Sequence, residues 1–312
     1  MFVTPSYSSI PFAKSSRVVQ RNEKMWPIYI LNGLYFAAFI FLISLGLNII
    51  LGVMGVLNLA HGSLYATGAF MAAWTIVALD EGASIFLIYP ALLTGAVIAA
   101  IFGLFMEYFL IRPMYKRALE YQLLITFGAL LLFEDVIKMI WGGEALYASG
   151  PFDVLGRIHI LGNPYPLYFL FVMILAVVVG ISIWLFMVKT KIGVMLRAIS
   201  LDREMATAMG LKIDKLGTFA FVLGAALAGF AGALVVPTTP ALLGFGMEPL
   251  ILAFIVVVIG GLGSLKGALV GSLVVGQTRS IGIALFPEIE LAVLFLIATV
   301  ILVVRPQGLF GR

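Results

Sequence analysis

Polar and charged positions in this chain are confined to short interruptions between long apolar runs. Windows without any Asp, Glu, Lys or Arg cover residues 28–79, 82–106, 160–188, 216–247, 249–265 and 291–304. About 20 apolar residues carry a helix across the hydrocarbon of a bilayer, so most of these windows are long enough for a crossing. Apolar positions run continuously or at helical spacing, without the two-residue alternation of a lipid-facing barrel strand. The pattern predicts spans at about 27–50, 84–111, 121–141, 167–188, 216–236, 249–265, 267–286 and 291–304.

One stretch fits this picture badly. Residues 46–70 are apolar overall but broken by Gly52, Gly55, Gly62 and Gly68, with Asn58, His61 and Ser63 at the centre. Polar groups and loosened backbone at membrane depth are costly unless buried in protein or facing a wet cavity. His61 is expected either to meet solute or protons, or to bond a backbone carbonyl freed by the glycines. Residues 254–276 echo the pattern, with Gly260, Gly261, Gly263 and Ser264 interrupting a second apolar run. Paired interruptions of this kind suggest helices meeting around a pathway. Close packing through small residues produces the same pattern.

Charge sets the orientation. Basic residues collect at Lys116 and Arg117, and in 189–215 at Lys189, Lys191, Arg197, Arg203, Lys212 and Lys215; segment 142–166 has few. By the positive-inside rule the first two loops face the cytoplasm and the third faces outward. Residues 1–25 carry Lys14, Arg17, Arg21 and Lys24 against Glu23, without the short apolar core of a signal peptide, and are expected to form a basic cytoplasmic tail. These assignments conflict, because they place both Ile50 and the turn at Asp80, Glu81 and Gly82 outside. The preferred topology has about eight crossings plus a broken or re-entrant helix at 51–79 that returns to the side it left. The alternative has nine crossings and an external tail.

Composition supports an all-α polytopic membrane protein: 62% of residues are hydrophobic and only 11% charged, against about a quarter charged in soluble domains. The net charge of +4 reads as orienting loops and not as nucleic-acid binding. There is no cysteine, and the two histidines, His61 and His159, are far apart in sequence, so neither a metal centre nor thiol chemistry is expected. No Ser/His/Asp set or H-E-x-x-H motif suggests an enzyme. Residues 260–267, GGLGSLKG, lack the Gly-Lys-Ser/Thr of a phosphate-binding loop. No cofactor is implied, and any ATP must be hydrolysed elsewhere.

Loop 189–215 carries a helix-start signal. Ser200 or Asp202 can cap free N–H groups, Glu204 falls in the first turn, and Gly210 can end the helix. Ala206, Ala208 and Met209 give a small-residue face, which suits a solvated helix or a docking surface equally. Among intramembrane polar groups, Glu134 and Lys138 are spaced to pair on one helix face, and Glu107 lies near enough to Arg112 to reach toward the surface. Gln277 and Arg279 are possible pathway or partner contacts. Arg279 is about 12 Å along a helix from Pro287, so it can reach partway to the surface, face a solute carboxylate or contact another subunit.

Three motifs together carry a resemblance over nearly the whole chain. Glu204-Met205-Ala206 with Gly210 is similar to the EAA-xxx-G signature of ABC importer permeases, with Met205 as a departure. Asn58-Leu59-Ala60-His61-Gly62, the run RAISLDREMATAMGLK at 197–212, and Ile259-Gly260-Gly261-Leu262-Gly263-Ser264 with Gly267 resemble the branched-chain amino acid ABC transporter permease family of the LivH type. The resemblance implies a type II ABC importer-like transmembrane subunit, with one permease domain at 26–312 in the bacterial inner membrane. It makes Arg197, Asp202, Arg203, Glu204, Ala206, Ala208 and Gly210 the ATPase-coupling surface. It places Asn58, His61, Gly62, Ser63, Gly260, Gly261, Gly263 and Ser264 in broken helices beside the translocation pathway. It also implies a second, LivM-like permease, two cytoplasmic ATPases and a periplasmic binding protein. The implied solute is a branched-chain amino acid or a small polar relative such as urea or a short amide. A stand-alone secondary transporter or channel is the competing reading, and would call for coupling carboxylates inside the membrane.

Overall fold

A computed structural model describes residues 25–79, 85–115, 117–160, 162–285 and 287–311. Most of the expected tail at 1–25 and the turn at Asp80, Glu81 and Gly82 lie outside these residues. Helix α1 (Trp26–Met54) carries Pro27 in its first turn, where the missing N–H costs nothing. It ends at Gly55, whose φ of 67° is left-handed and whose N–H bonds the Leu51 carbonyl. Residues 55–60 are not helical. Helix α2 (His61–Ala78) follows, then α3 (Ile85–Met106), which continues through a π turn (Glu107–Ile111) and a 3-10 turn (Arg112–Met114). Next come α4 (Leu119–Trp141) and a polar connection holding the short α5 (Gly150–Leu155) and an antiparallel hairpin, β1 (Arg157–Ile160) and β2 (Asn163–Pro166). Helices α6 (Leu167–Lys189), α7 (Lys191–Leu201), α8 (Arg203–Ala208), α9 (Ile213–Val235), α10 (Met247–Gly260), α11 (Leu265–Leu285) and α12 (Glu290–Val304) complete the chain.

Among the described residues, five helical stretches are long and apolar enough to cross a membrane: Trp26–Met54, Phe86–Met114, Leu167–Lys189, Ile213–Val235 and Leu265–Leu285. Met247–Gly260 and Glu290–Val304 are shorter apolar helices. Helices α1 and α9 form the centre. α1 packs against α6, α9, α10 and α11, while α9 packs against α1, α2 and α3. Burial comes from close backbone approach as much as from large side chains. A Cβ at Gly46 would strike the backbone of Gly224, and one at Gly68 would strike that of Gly229. With lipid on the outside there is little hydrophobic gain in bringing helices together, so small residues that permit close contact carry the association.

The path of the first two helices bears on the topology of 51–79. The C-terminal end of α1 lies at the same end of the bundle as the basic loop: Arg203 Nη1 donates to the Met54 carbonyl at 3.2 Å. From there the chain does not return to the side it left. Leu57 reaches α4, where the Thr126 hydroxyl donates to its carbonyl, and α2 runs on until Ile76 meets the opposite end of the bundle beside Gly150. The left-handed residue at Gly55 ends the helix where the chain turns, and α1 and 55–78 run in opposite directions through the bundle.

Candidate functional site

The first break is a junction of helix ends inside the protein. His61, Gly62 and Ser63 open α2, and Asn58 lies in the non-helical residues before it. His61 Nε2 is 3.1 Å from the carbonyl of Ile43 on α1. Ile43 lies 11 residues before Met54, so His61 stands about 16 Å from the loop end of α1, near half the depth of a ~30 Å hydrocarbon core. The backbones of Gly62 and Gly246 touch closely enough that a Cβ on either would clash. Gly246 immediately precedes α10, so α2 and α10 start beside each other at this depth. Tyr65 stacks on Phe245 at a ring separation of 5.5 Å. Asn58 and His61 are fully buried and Ser63 nearly so. Both side-chain polar atoms of Asn58, and Nδ1 of His61, lack a hydrogen-bond partner among the described residues. The four expected residues are thus brought together, but enclosed by the chain's own helices.

The second break closes around a residue the sequence reading missed. Asn48 on α1 donates from Nδ2 to the Ser264 carbonyl at 2.7 Å, and its Oδ1 accepts from the Gly263 N–H. Gly260 ends α10, Gly261 and Gly263 take positive φ, and the Ser264 hydroxyl caps α11 by accepting from the Gly267 N–H at 3.0 Å. The C-terminal segment covers the turn: the N–H groups of Leu309 and Phe310 donate to the carbonyls of Ile259 and Gly260. The two glycine-broken stretches that echo each other in sequence meet here, Gly52 against Gly263. The signal for Asn48 was available, since it is one of three amides in a 52-residue charge-free window.

The coupling loop folds as two helices where one was expected at 200–211. Ser200 lies inside α7, its hydroxyl bonded to the Arg197 carbonyl. Asp202 is the cap of α8, accepting from the Met205 N–H at 2.8 Å. Gly210, at φ 81°, ends α8: Leu211 N–H donates to Ala206 and Gly210 N–H to Thr207, the paired bonds of a Schellman close. Ala206 is buried, while Arg197, Glu204 and Ala208 face outward. Between these polar groups Leu201, Met205 and Met209 are 63%, 58% and 75% exposed. Arg203 turns inward to the Met54 carbonyl and stands 5.5 Å over the Tyr115 ring. Burial and the neighbouring Glu107 push the Tyr115 phenol well above its ordinary range, so it stays protonated and donates to that carboxylate.

Residues 29–304 match the family model described as branched-chain amino acid transport system / permease component. The chain belongs to this permease family. It is 27% identical to the high-affinity branched-chain amino acid transport system permease protein LivH of Escherichia coli K12 over 296 residues, 90% of this chain and 94% of that protein. It is 28% identical to the probable branched-chain amino acid transport permease protein LivH of Methanocaldococcus jannaschii, with 93% of each covered. Among solved structures, PsaBC from Streptococcus pneumoniae in complex with Fab superposes at a TM-score of 0.42 with 15% identity, covering 91% of this chain and 95% of that one.

In this permease Glu107, Glu134 and Arg279 find partners within the chain. The π turn brings Glu107 and Arg112, five residues apart, onto one face. Glu107 is fully buried and bonded to Arg112 at 3.0 Å, where a reach toward the surface was expected. The expected Glu134–Lys138 pair gives way to a bond from the Gly244 N–H to Glu134, because the α9–α10 loop folds onto α4. Arg279 pairs with Glu248 on α10, lies 3.8 Å from Glu290 on α12, and sits 4.5 Å over the Phe36 ring. Gln277 donates to the Ile30 carbonyl and packs on Gly33. Both residues therefore join α11 to neighbouring helices of the same chain.

Proposed function

We propose that this permease is the transmembrane subunit of an ABC importer that moves branched-chain amino acids into the cytoplasm. The observation that carries the reading is the exposed, doubly capped α8 with its inward arm, Arg203, on the last carbonyl of α1. A partner ATPase would seat on Glu204, Ala208 and the exposed methionines, and its movement would reach α1 through Arg203. The alternating helix directions favour nine crossings with an outer N-terminus and an inner C-terminus, in a type II importer-like arrangement. The meeting of α2 and α10 at mid-depth is the place where these two helices would shift against each other. A second, LivM-like permease would complete the pathway, two ATPases would drive it, and a binding protein would deliver solute from outside the inner membrane. The buried carboxylate of Glu107 is already paired with Arg112, which counts against a secondary transporter coupled through it.

The test is uptake of labelled leucine, urea and acetamide in a strain lacking this chain. Restored leucine uptake is expected with the wild-type gene. Glu204→Lys should abolish it while leaving the permease in the membrane. Undiminished transport in that variant would remove α8 from the coupling role, and uptake of urea or acetamide in place of leucine would redirect the solute.

A further inference from the structure

Helices α1, α6 and α11 enclose a groove of about 440 Å³ that the transport reading leaves unused. Small residues make the hollow: Ala37 and Ala38 on α1, and Ala176 and Gly180 on α6, with Phe41 lying against Gly180. The walls are apolar except for Ser272 and, at one end, Lys266 in the first turn of α11. Lys266 is exposed and makes no ion pair among the described residues. Lys189 is exposed at the end of α6, about 8 Å along the helix from Trp184 in the groove wall. No Asp or Glu lines the groove.

Length and charge select the occupant. The groove follows α1 from Leu34 to Leu45, about 16 Å of helix, close to the ~15 Å of one leaflet's hydrocarbon. Lys266 at one end, with no acidic side chain in the wall, calls for an anionic end group on an apolar tail. A free phosphate would leave the apolar length empty. We propose that the groove holds one acyl chain of an anionic phospholipid, with Lys266 on its phosphate. The lipid is then a wedge between α6 and α11, over the helix that Arg203 holds.

Trp184 reports on the groove directly. In the full chain, Phe in place of Trp26, Trp74 and Trp141 leaves Trp184 alone, for reconstitution into phosphatidylcholine vesicles. Acyl-brominated phosphatidylglycerol should quench Trp184 at about a fivefold lower mole fraction than acyl-brominated phosphatidylcholine, the preference one basic residue gives at a membrane surface. Lys266→Ala should bring that ratio close to one. A chain retaining only Trp74, which is 52% exposed on α2, should show no headgroup preference. Should the tryptophan replacements fail to fold, phosphatidylglycerol retained by the purified wild-type chain is counted against Lys266→Ala, with a loss expected. Equal quenching by the two lipids, or a preference that survives Lys266→Ala, would overturn the proposal. So would loss of all Trp184 quenching in the assembled transporter, which would assign the groove to a partner subunit.

Discussion

The two breaks differ in how their polar groups are met. At 261–264 the loosened backbone is bonded from three sides, by Asn48, by the Ser264 cap and by the C-terminal segment. At 55–60 the backbone is held mainly by packing, and Asn58 keeps both amide atoms buried without a partner among the described residues. A bonded turn resists displacement, because each lost bond leaves a buried group unpaired. A packed segment with unmet polar groups has less to lose on moving, and can gain bonds if movement brings water or solute to it. The pairing of a latched break with a loose one suggests which side stays fixed while the other rearranges.

The sharpest way to break this comparison is to remove the frame both breaks depend on. Gly68→Val forces a branched side chain into the backbone of Gly229 and should destabilise by about 3 kcal/mol or more, read as a large drop in melting temperature in detergent. Next is the latch. Asn48→Ala leaves the Gly263 N–H and the Ser264 carbonyl without their side-chain partner and should cost about 2–3 kcal/mol, whereas Asn48→Asp keeps the acceptor and should lie between. Asp202→Ala removes only the α8 cap, worth about 1 kcal/mol. Its melting temperature should barely move, while ATPase association measured by co-purification weakens. The smallest effect on stability belongs to the loose break. Asn58→Leu removes an amide that has no partner, so stability should change by less than about 1 kcal/mol. Transport should nevertheless fall several-fold if Asn58 gains partners during the cycle. A marked loss of stability in that variant would make the two breaks equivalent and end the contrast.

Much of this was legible in the sequence, for reasons that differ by residue. Charge-free windows located the helices because lipid leaves no cheap alternative for apolar sequence. Asp202 and Gly210 were readable because capping is local: a cap needs only its own next few residues. Parity at 51–79 was not readable. The basic tail argued for an inner N-terminus, whereas the direction of α1 is fixed by Arg203 149 residues away. Glu134 and Arg279 were misjudged for a similar reason. Spacing within one helix suggested Lys138 or the surface, while their partners Gly244, Glu248 and Glu290 arrive from other elements. The role of Asn48 was not legible because its partners, Ser264 and Gly263, lie 216 and 215 residues away.

The bond from Arg203 to Met54 has a genetic consequence. Arg203 grips a backbone carbonyl, so the identity of residue 54 does not supply the contact. Replacement of Met54 can alter packing but cannot delete the acceptor, and no side-chain change there can restore a lost arginine. Inheritance of this link rests on a single codon, at position 203. Suppressors of a transport-dead Arg203 variant should therefore map to the ATPase or to neighbours of α8, such as Tyr115, and not to the carbonyl's own residue.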